Sequence, residues 1–441
     1  MEDLLAARWQ MALSLGFHIV FACIGMAMPF FMAFAEWRWL KSGDEVYKEL
    51  TKAWSKGVAI FFATGAVSGT VLSFELGLLW PTFMEKAGPI IGMPFSWEGA
   101  AFFVEAIALG LFLYGWDKLN RWAHWTSGLV VGIAGVASAI FVMSANAWMN
   151  SPEGFDWVNG QAVNIDPVDA MFNAAWVSET IHMTLAAFVS TGFAVAGVHA
   201  ILLLRDRGNL FHRKALKIAM SFAAIAALLQ PVSGDYSAKD VADRQPAKFA
   251  AMEAHFETER SAGLLIGGIP NVEKQTVDYG FRIPGLLSFL AHGDLDAEVT
   301  GLEEIPREHW PPVAIVHYAF QIMVGLGMLM AALALLYLLL YWKGRPKIFS
   351  NWFLRLAAVM TPMGFIALEA GRVVTEVGRQ PWIIYKIMKV EESLTPMPGI
   401  VYTLILITFI YLLITIVLIW LMRRQFQAVP THFRAEVDKK E

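Results

Sequence analysis

Nine apolar runs constrain this chain more than any other feature of it. Each is long enough to cross a hydrocarbon core of about 30 Å as a helix. In lipid a backbone must satisfy its own hydrogen bonds, and runs of this length do so as helices. They read near residues 10–36, 57–80, 94–116, 125–149, 171–204, 213–232, 310–342, 352–378 and 397–422 of the 441. Composition agrees: 57% of residues are hydrophobic, 16% are charged and the mean hydropathy is +0.51, too little charge to coat a soluble surface of this size. The expected fold is an all-α integral membrane protein with about nine transmembrane helices.

Lysine and arginine gather in alternate connections. Arg38, Lys41, Lys48, Lys52 and Lys56 follow the first run, Lys118 and Arg121 the third, and Arg205, Arg207, Arg213, Lys214 and Lys217 the fifth. Lys343, Arg345 and Lys347 follow the seventh, and Arg423 and Arg424 the ninth. Residues 151–170, on the other side, hold four acids and no base. The positive-inside rule then puts the N-terminus outside and the C-terminus in the cytoplasm. The opening MEDLLAARWQ lacks the basic start of a signal peptide, so the first run is expected to remain as a span. A net charge of −4 without a basic stripe gives no reason to expect nucleic acid. The single cysteine, Cys23, excludes an internal disulfide framework or thiolate cluster and reads as packing. One connection, 233–309, is long; it divides the chain into spans 1–232, an extracytoplasmic loop, and spans 310–441 with a cytoplasmic tail.

With each helix given a direction, His18, His182, Met323 and Glu376 fall at comparable depth toward the face that bears the loop. A lone membrane histidine or methionine is ordinarily core. Four such groups on one side form a candidate ligand set for haem iron, for which histidine, methionine and carboxylate all serve. Glu376 lies in GRVVTEVGRQPW, with Arg372 four residues before it and Arg379 three after, on one helix face. Intramembrane charge is costly and usually functional. Glu98 and Glu105 in SWEGAAFFVEA stand two turns apart on one face, Glu105 deeper, as a proton relay would require or as structural acids. Glu75 and Glu369 give weaker versions of that signal, and His199 and His317, nearer helix ends, read as packing.

These residues carry a resemblance. RWQMALSLGFH, EGAAFFVEAIALGLFLYGWD, SANAWMN, GDYSAKDVADRQPAKFAAMEAHFET, FQIMVGLGM and GRQPW together make the chain similar, nearly end to end, to subunit I of cytochrome bd-type quinol oxidases, in the short-loop branch that includes cyanide-insensitive members. The resemblance implies a terminal respiratory oxidase of the bacterial cytoplasmic (inner) membrane. It would oxidise ubiquinol or menaquinol at the outer face and reduce O2 to water with cytoplasmic protons, electrogenic without pumping.

It also implies roles. His182 and Met323 match the ligands of a low-spin haem b. Glu376 and His18 match those of the two high-spin haems, giving two haem b and one haem d, or haem b in place of d. Glu98 and Glu105 match acids of the oxygen-reducing end and its proton route, with Asn146 nearby. Lys248 and Glu253 match loop residues of quinol oxidation, and Arg379 a partner of propionates or of Glu376. Subunit II is the implied heterodimer partner, with a one-helix accessory subunit as a further one. Two positions depart from the family: Gln321 replaces a common basic residue and Arg372 a common tryptophan. A quinone-coupled haem b carrier and a secondary transporter are the alternatives. The carrier has no need of Glu376 or the stacked acids, and a transporter would show broken helices near the midplane.

Overall fold

A computed structural model describes residues 2–343, 346–427 and 433; Arg345 and most of the expected C-terminal tail lie outside the described residues. Among the described residues nine segments are long and apolar enough to span a membrane, as the sequence predicts. They are built from helices α1 (Glu2–Ser42), α2 (Glu45–Leu79), α3 (Pro81–Tyr114), α4 (Arg121–Asn150), α5 (Pro167–Met171) running into α6 (Trp176–Arg205), and α7 (Leu210–Arg244). The short α8 (Pro246–Glu253) and α9 (Leu286–His292) belong to the long loop. Then come α10 (Val313–Trp342), α11 (Asn351–Val359), α12 (Met363–Val377), the one-turn α13 (Val390–Ser393) and α14 (Ile400–Gln427).

Local chemistry sets several starts. Asp44, Asn120 and Asn209 accept hydrogen bonds from the amides of Val46, Ala123 and His212, capping α2, α4 and α7. Two departures from the predicted spans matter for the site. The sixth run, predicted to end at 232, continues as helix to Arg244, because residues 233–244 are polar but helix-competent and pack on α6, where the Ser178 hydroxyl donates to Asp240 at 2.7 Å. The eighth run is two helices broken at 360–362, where Pro362 lacks a donor. The break packs tightly on α6: a side chain at Gly197 would collide with Thr361, and a Cβ at Gly364 would lie 2.5 Å from the Ser190 Cα.

α1, α6 and α7 form the middle of the bundle, whereas α14 packs chiefly on α1 and α2 and leaves most of its surface exposed. The main core, with Phe31, Leu50, Phe193, Phe211, Tyr337 and Phe353, lies toward the end opposite the long loop. The loop itself is tied together by three short antiparallel pairings, Glu259–Arg260 with Glu298–Val299, Leu264–Ile266 with Phe281–Ile283, and Ile269–Asn271 with Thr276–Asp278. Side chains of α10 fasten it. His317 bonds through Nδ1 to the Met252 carbonyl at 2.9 Å, and Gln321 donates to the Leu265 carbonyl at 3.1 Å and accepts from the Gly267 amide at 3.3 Å. His317 is therefore structural, as expected, and the neutral Gln321 holds the loop.

Candidate functional site

At the loop end of the bundle, Glu376 near the C-terminus of α12 is held on both oxygens. Asn146 of α4 donates to Oε1 at 2.7 Å, and Arg379, just beyond α12, donates to Oε2 at 2.7 Å. The Arg379 guanidinium also donates to the Asn150 side-chain oxygen at 3.2 Å, and that same oxygen accepts from the Lys248 ammonium at 3.0 Å. The Asn150 amide donates to Glu179 of α6 at 2.8 Å, and Gln245 donates to the Asn150 carbonyl at 2.9 Å. Two cations and two carboxylates thus share one buried network whose centre is Asn150. It joins the loop helix α8 to α4, α6 and α12. Gly378 is needed there: a Cβ would lie 2.9 Å from the Lys248 Cγ.

Lys248 is 4% exposed, and burial, with Arg379 adding to it, holds its ammonium below the ordinary lysine value against the pull of Glu179 and Glu376. Glu253 lies at the other end of α8, five residues on and so about 140° around the helix. It does not join the network. It is 4% exposed, one of its oxygens has no hydrogen-bond partner, and burial pushes its carboxyl up to about 8.

The two predicted histidine ligands are mounted alike. His18 of α1 meets the Ser68 hydroxyl of α2 through Nδ1 at 2.9 Å, and His182 of α6 meets the Ser233 hydroxyl of α7 through Nδ1 at 3.0 Å. Each serine can donate its own proton to a carbonyl one turn back, Thr64 for Ser68 and Gln230 for Ser233, and so accepts Nδ1–H from the ring. With the serines so oriented, Nδ1 carries the ring hydrogen and Nε2 keeps the lone pair, the arrangement a ligating histidine has, and at His182 that lone pair faces the Gln230 amide. A glycine follows each serine; Cβ atoms at Gly69 and Gly234 would lie 3.0 and 3.4 Å from the ring Cε1 atoms. Both segments read Val-Ser-Gly, 67–69 and 232–234. Beside His182, the Gln230 amide nitrogen is 3.1 Å from Nε2 while its oxygen is buried without a partner.

Met323 of α10 packs on α12 where residue 371 has no side chain; a Cβ there would lie 2.9 Å from the thioether sulfur. Arg372 donates to Glu369 at 3.0 Å and to the Ala12 carbonyl at 3.2 Å, an ion pair packed against Gly16 of α1. Glu369 borders an open apolar depression lined otherwise by Val20, Pro362, Phe365 and Ile366. Two serine-held histidines, an unpaired thioether, a doubly held carboxylate and orphaned buried polar atoms on Gln230 and Glu369 fit haem as the group these residues would hold.

The stacked acids of α3 lie apart from this network. Glu105 is 7% exposed and packs where α1 and α4 meet; a Cβ at Gly135 would lie 3.4 Å from its Oε1. Glu98, less buried, accepts from Ser138 of α4 at 3.2 Å. The structure brings Asn146, Lys248, Glu376 and Arg379 together, and sets Glu98 and Glu105 in their own seam. Sequence reasoning did not find Asn150, Glu179, Gln245, Ser68 or Ser233. The one available signal was Asn146 and Asn150 one turn apart in SANAWMN.

Residues 6–430 match the family Cytochrome bd terminal oxidase subunit I. The putative cytochrome bd menaquinol oxidase subunit I of Bacillus subtilis (strain 168) is 33% identical over 434 residues, covering 98% of both chains. Cytochrome bd-II ubiquinol oxidase subunit 1 of Escherichia coli (strain K12) is 27% identical, covering 98% of this chain and 97% of its own. Among solved structures, a chain of bd oxidase from Geobacillus thermodenitrificans superposes with a TM-score of 0.91 at 38% identity, over 97% of this chain and 99% of that one.

Proposed function

The chain belongs to the cytochrome bd terminal oxidase subunit I family, and we propose that it is the catalytic subunit of a quinol oxidase. Two quinols release four electrons and four protons at the loop side, and O2 takes four electrons and four protons to form two waters. The observation that carries this reading is the unbroken run of hydrogen bonds, buried from Lys248 on the loop through Asn150 to Arg379 and part-buried at Glu376. It places an acid–base group of the loop and a candidate iron ligand in one electrostatic unit.

His182 and Met323 would hold a low-spin haem b, and Glu376 and His18 the two high-spin haems. The expected complement is two haem b and one haem d, with haem b as the alternative at the third site. Bound haem supplies the one-electron steps between quinol and O2. The protein supplies the rest. A quinol at the loop loses protons to groups whose proton affinity burial has moved toward neutrality: Glu253, pushed up to about 8, and Lys248, pushed down. Arg379 and Asn146 hold the two Glu376 oxygens and would orient the carboxyl group toward iron.

The positive-inside rule supports an outer loop and a cytoplasmic C-terminus in a bacterial inner membrane. Residues 1–232 would then carry the proton path and one high-spin ligand, 233–309 the quinol loop, and 310–441 further ligands. Protons for water would reach the oxygen side past Glu105 and Glu98, so charge separates without a pump. Subunit II is the expected membrane partner, alongside a one-helix accessory subunit. The exposed apolar faces of α3 and α14, with Phe103, Ile107, Leu406 and Phe409, leave surface for lipid and such subunits.

The test is a reduced-minus-oxidised absorption spectrum of the purified complex with and without carbon monoxide, beside quinol-driven O2 uptake in cyanide. A far-red band that shifts with carbon monoxide, with cyanide-tolerant uptake, supports the oxidase with haem d. Three haems without that band mean the haem b variant. Absence of any haem reactive with carbon monoxide rejects the reading.

A further inference from the structure

Near the end of the bundle opposite the loop, two buried titratable side chains have no place in the mechanism above. Glu36 of α1 and His124 of α4 lie 2.7 Å apart, Oε1 to Nδ1, with side chains 0% and 3% exposed. The other ring nitrogen, Nε2, faces the Phe112 carbonyl of α3 at 2.8 Å. A carbonyl only accepts, so Nε2 carries hydrogen and is committed there. The 2.7 Å contact between Nδ1 and Oε1 therefore holds one proton. The second Glu36 oxygen is buried and has no partner.

Aromatic rings stand between this pair and the cations at that end. Phe112 and Trp116 pack on His124 at 4.4 and 4.2 Å. Lys52 lies over Trp116, Lys48 and Arg121 over Trp39, and Lys41 over Trp122. Toward the middle of the bundle, His124, Gly128, Gly132, Gly135 and Ser138 follow one another at helical spacing on one face of α4. Cβ atoms at Gly128 and Gly132 would lie 2.6 and 2.8 Å from the rings of Phe112 and Phe30. Gly135 touches Glu105, and Ser138 bonds Glu98. From His124 to Gly135 the rise is ~16 Å.

We propose that Glu36 and His124 form the proton-loading pair that feeds Glu105 along this face of α4. The inference rests on the oxidase reading. One proton arrives from the end opposite the loop and is held between Oε1 and Nδ1. This face of α4 bears no proton-carrying side chain between His124 and Gly135, so the proton crosses to the Glu105 carboxylate on water admitted past the Phe112 and Phe30 rings, and goes onward to water formed with electrons from quinol. Its departure leaves two lone pairs facing each other, so the contact opens until the next proton closes it. Loading and closure are one event, and the unpartnered Glu36 oxygen gives the acid a direction in which to turn.

The decisive variant is Glu36→Gln in the assembled complex, reconstituted in vesicles. Glutamine keeps a donor for Nδ1 but carries no transferable proton. The expected result is at least a tenfold fall in kcat for quinol-driven O2 uptake and a larger solvent deuterium isotope effect. KM for quinol, anaerobic haem reduction by quinol and the haem spectrum should not change. Turnover within twofold of the parent with the same isotope effect overturns the inference. Should that variant not assemble, His124→Gln, read by the same measurements, decides. A parent complex without quinol-driven O2 uptake would instead reject the oxidase reading itself.

Discussion

Ser68→Ala and Ser233→Ala separate the two histidine sites. Each removes the hydroxyl that accepts Nδ1–H from its ring, at 2.9 Å for His18 and 3.0 Å for His182. The lost hydrogen bond is worth about 1 kcal/mol. An outer-shell partner of a ligating histidine is worth ten- to a hundredfold in affinity, or ~1.4–2.7 kcal/mol. Neighbours temper the loss: the Gln230 amide lies 3.2 Å from the His182 Nδ1 and can turn its unpartnered oxygen toward it, and the Gly65 carbonyl is within reach of the His18 ring. The expected effect is therefore near tenfold weaker retention, confined to one site in each variant. The assay is haem transfer from the purified complex to an excess of apomyoglobin, followed by absorption. Ser233→Ala should release the low-spin haem sooner, and Ser68→Ala a high-spin, carbon-monoxide-reactive haem. Release of the same haem by both variants, or of none by either, would refute the argument that each Val-Ser-Gly segment orients one ligand.

Three further outcomes follow from the same geometry. Gly371→Ala puts a carbon 2.9 Å from the Met323 sulfur; the thioether should be displaced and the midpoint potential of the low-spin haem lowered, as a redox titration would read. Asn150→Leu leaves Arg379, Lys248 and Glu179 short of their shared partner; about 1–3 kcal/mol per stranded buried group predicts a fall in Tm of the complex and slower haem reduction by quinol. Glu253→Gln bears on pH: burial raises that carboxyl from 4.5 to about 8, so the folded state binds the proton more tightly than the unfolded chain. Stability from this group is whole below pH 4.5 and lost as pH rises through about 8, so the Tm of the parent should fall relative to Glu253→Gln across that window and run parallel to it above. Parallel curves throughout would show that Glu253 is not buried as an acid.

The helices were legible because apolar length is a local property; their ends were not, because tertiary contact sets them. Residues 233–244 look like loop by polarity, yet Asp240 is held by Ser178 and Ser233 by His182, so α7 runs on and delivers the partner of a ligand. The eighth run reads as a single span although Pro362 lies within it, and that the kinked segment fits against Gly197 and Ser190 is a matter of shape between helices. Glu376, Arg379, Asn146 and Lys248 were reached through motifs. Asn150, which joins them, was not, since an asparagine at a helix end looks like any cap until three elements converge on it. The two Val-Ser-Gly segments show the same limit. Three residues are too few to read as a repeat, but each serine meets a histidine, His18 from 50 residues after it and His182 from 51. In one case the serine lies on the next span, in the other on the continuation of a span beyond its predicted end. Nearly equal separations and one bonding pattern mean that both sites solve the same problem. Each needs a helix that turns back beside the ligand, a hydroxyl to hold its Nδ1 and a glycine to let the ring approach. That constraint links sequence to chemistry more directly than the ligands alone do, because a histidine without such a partner is only a buried ring.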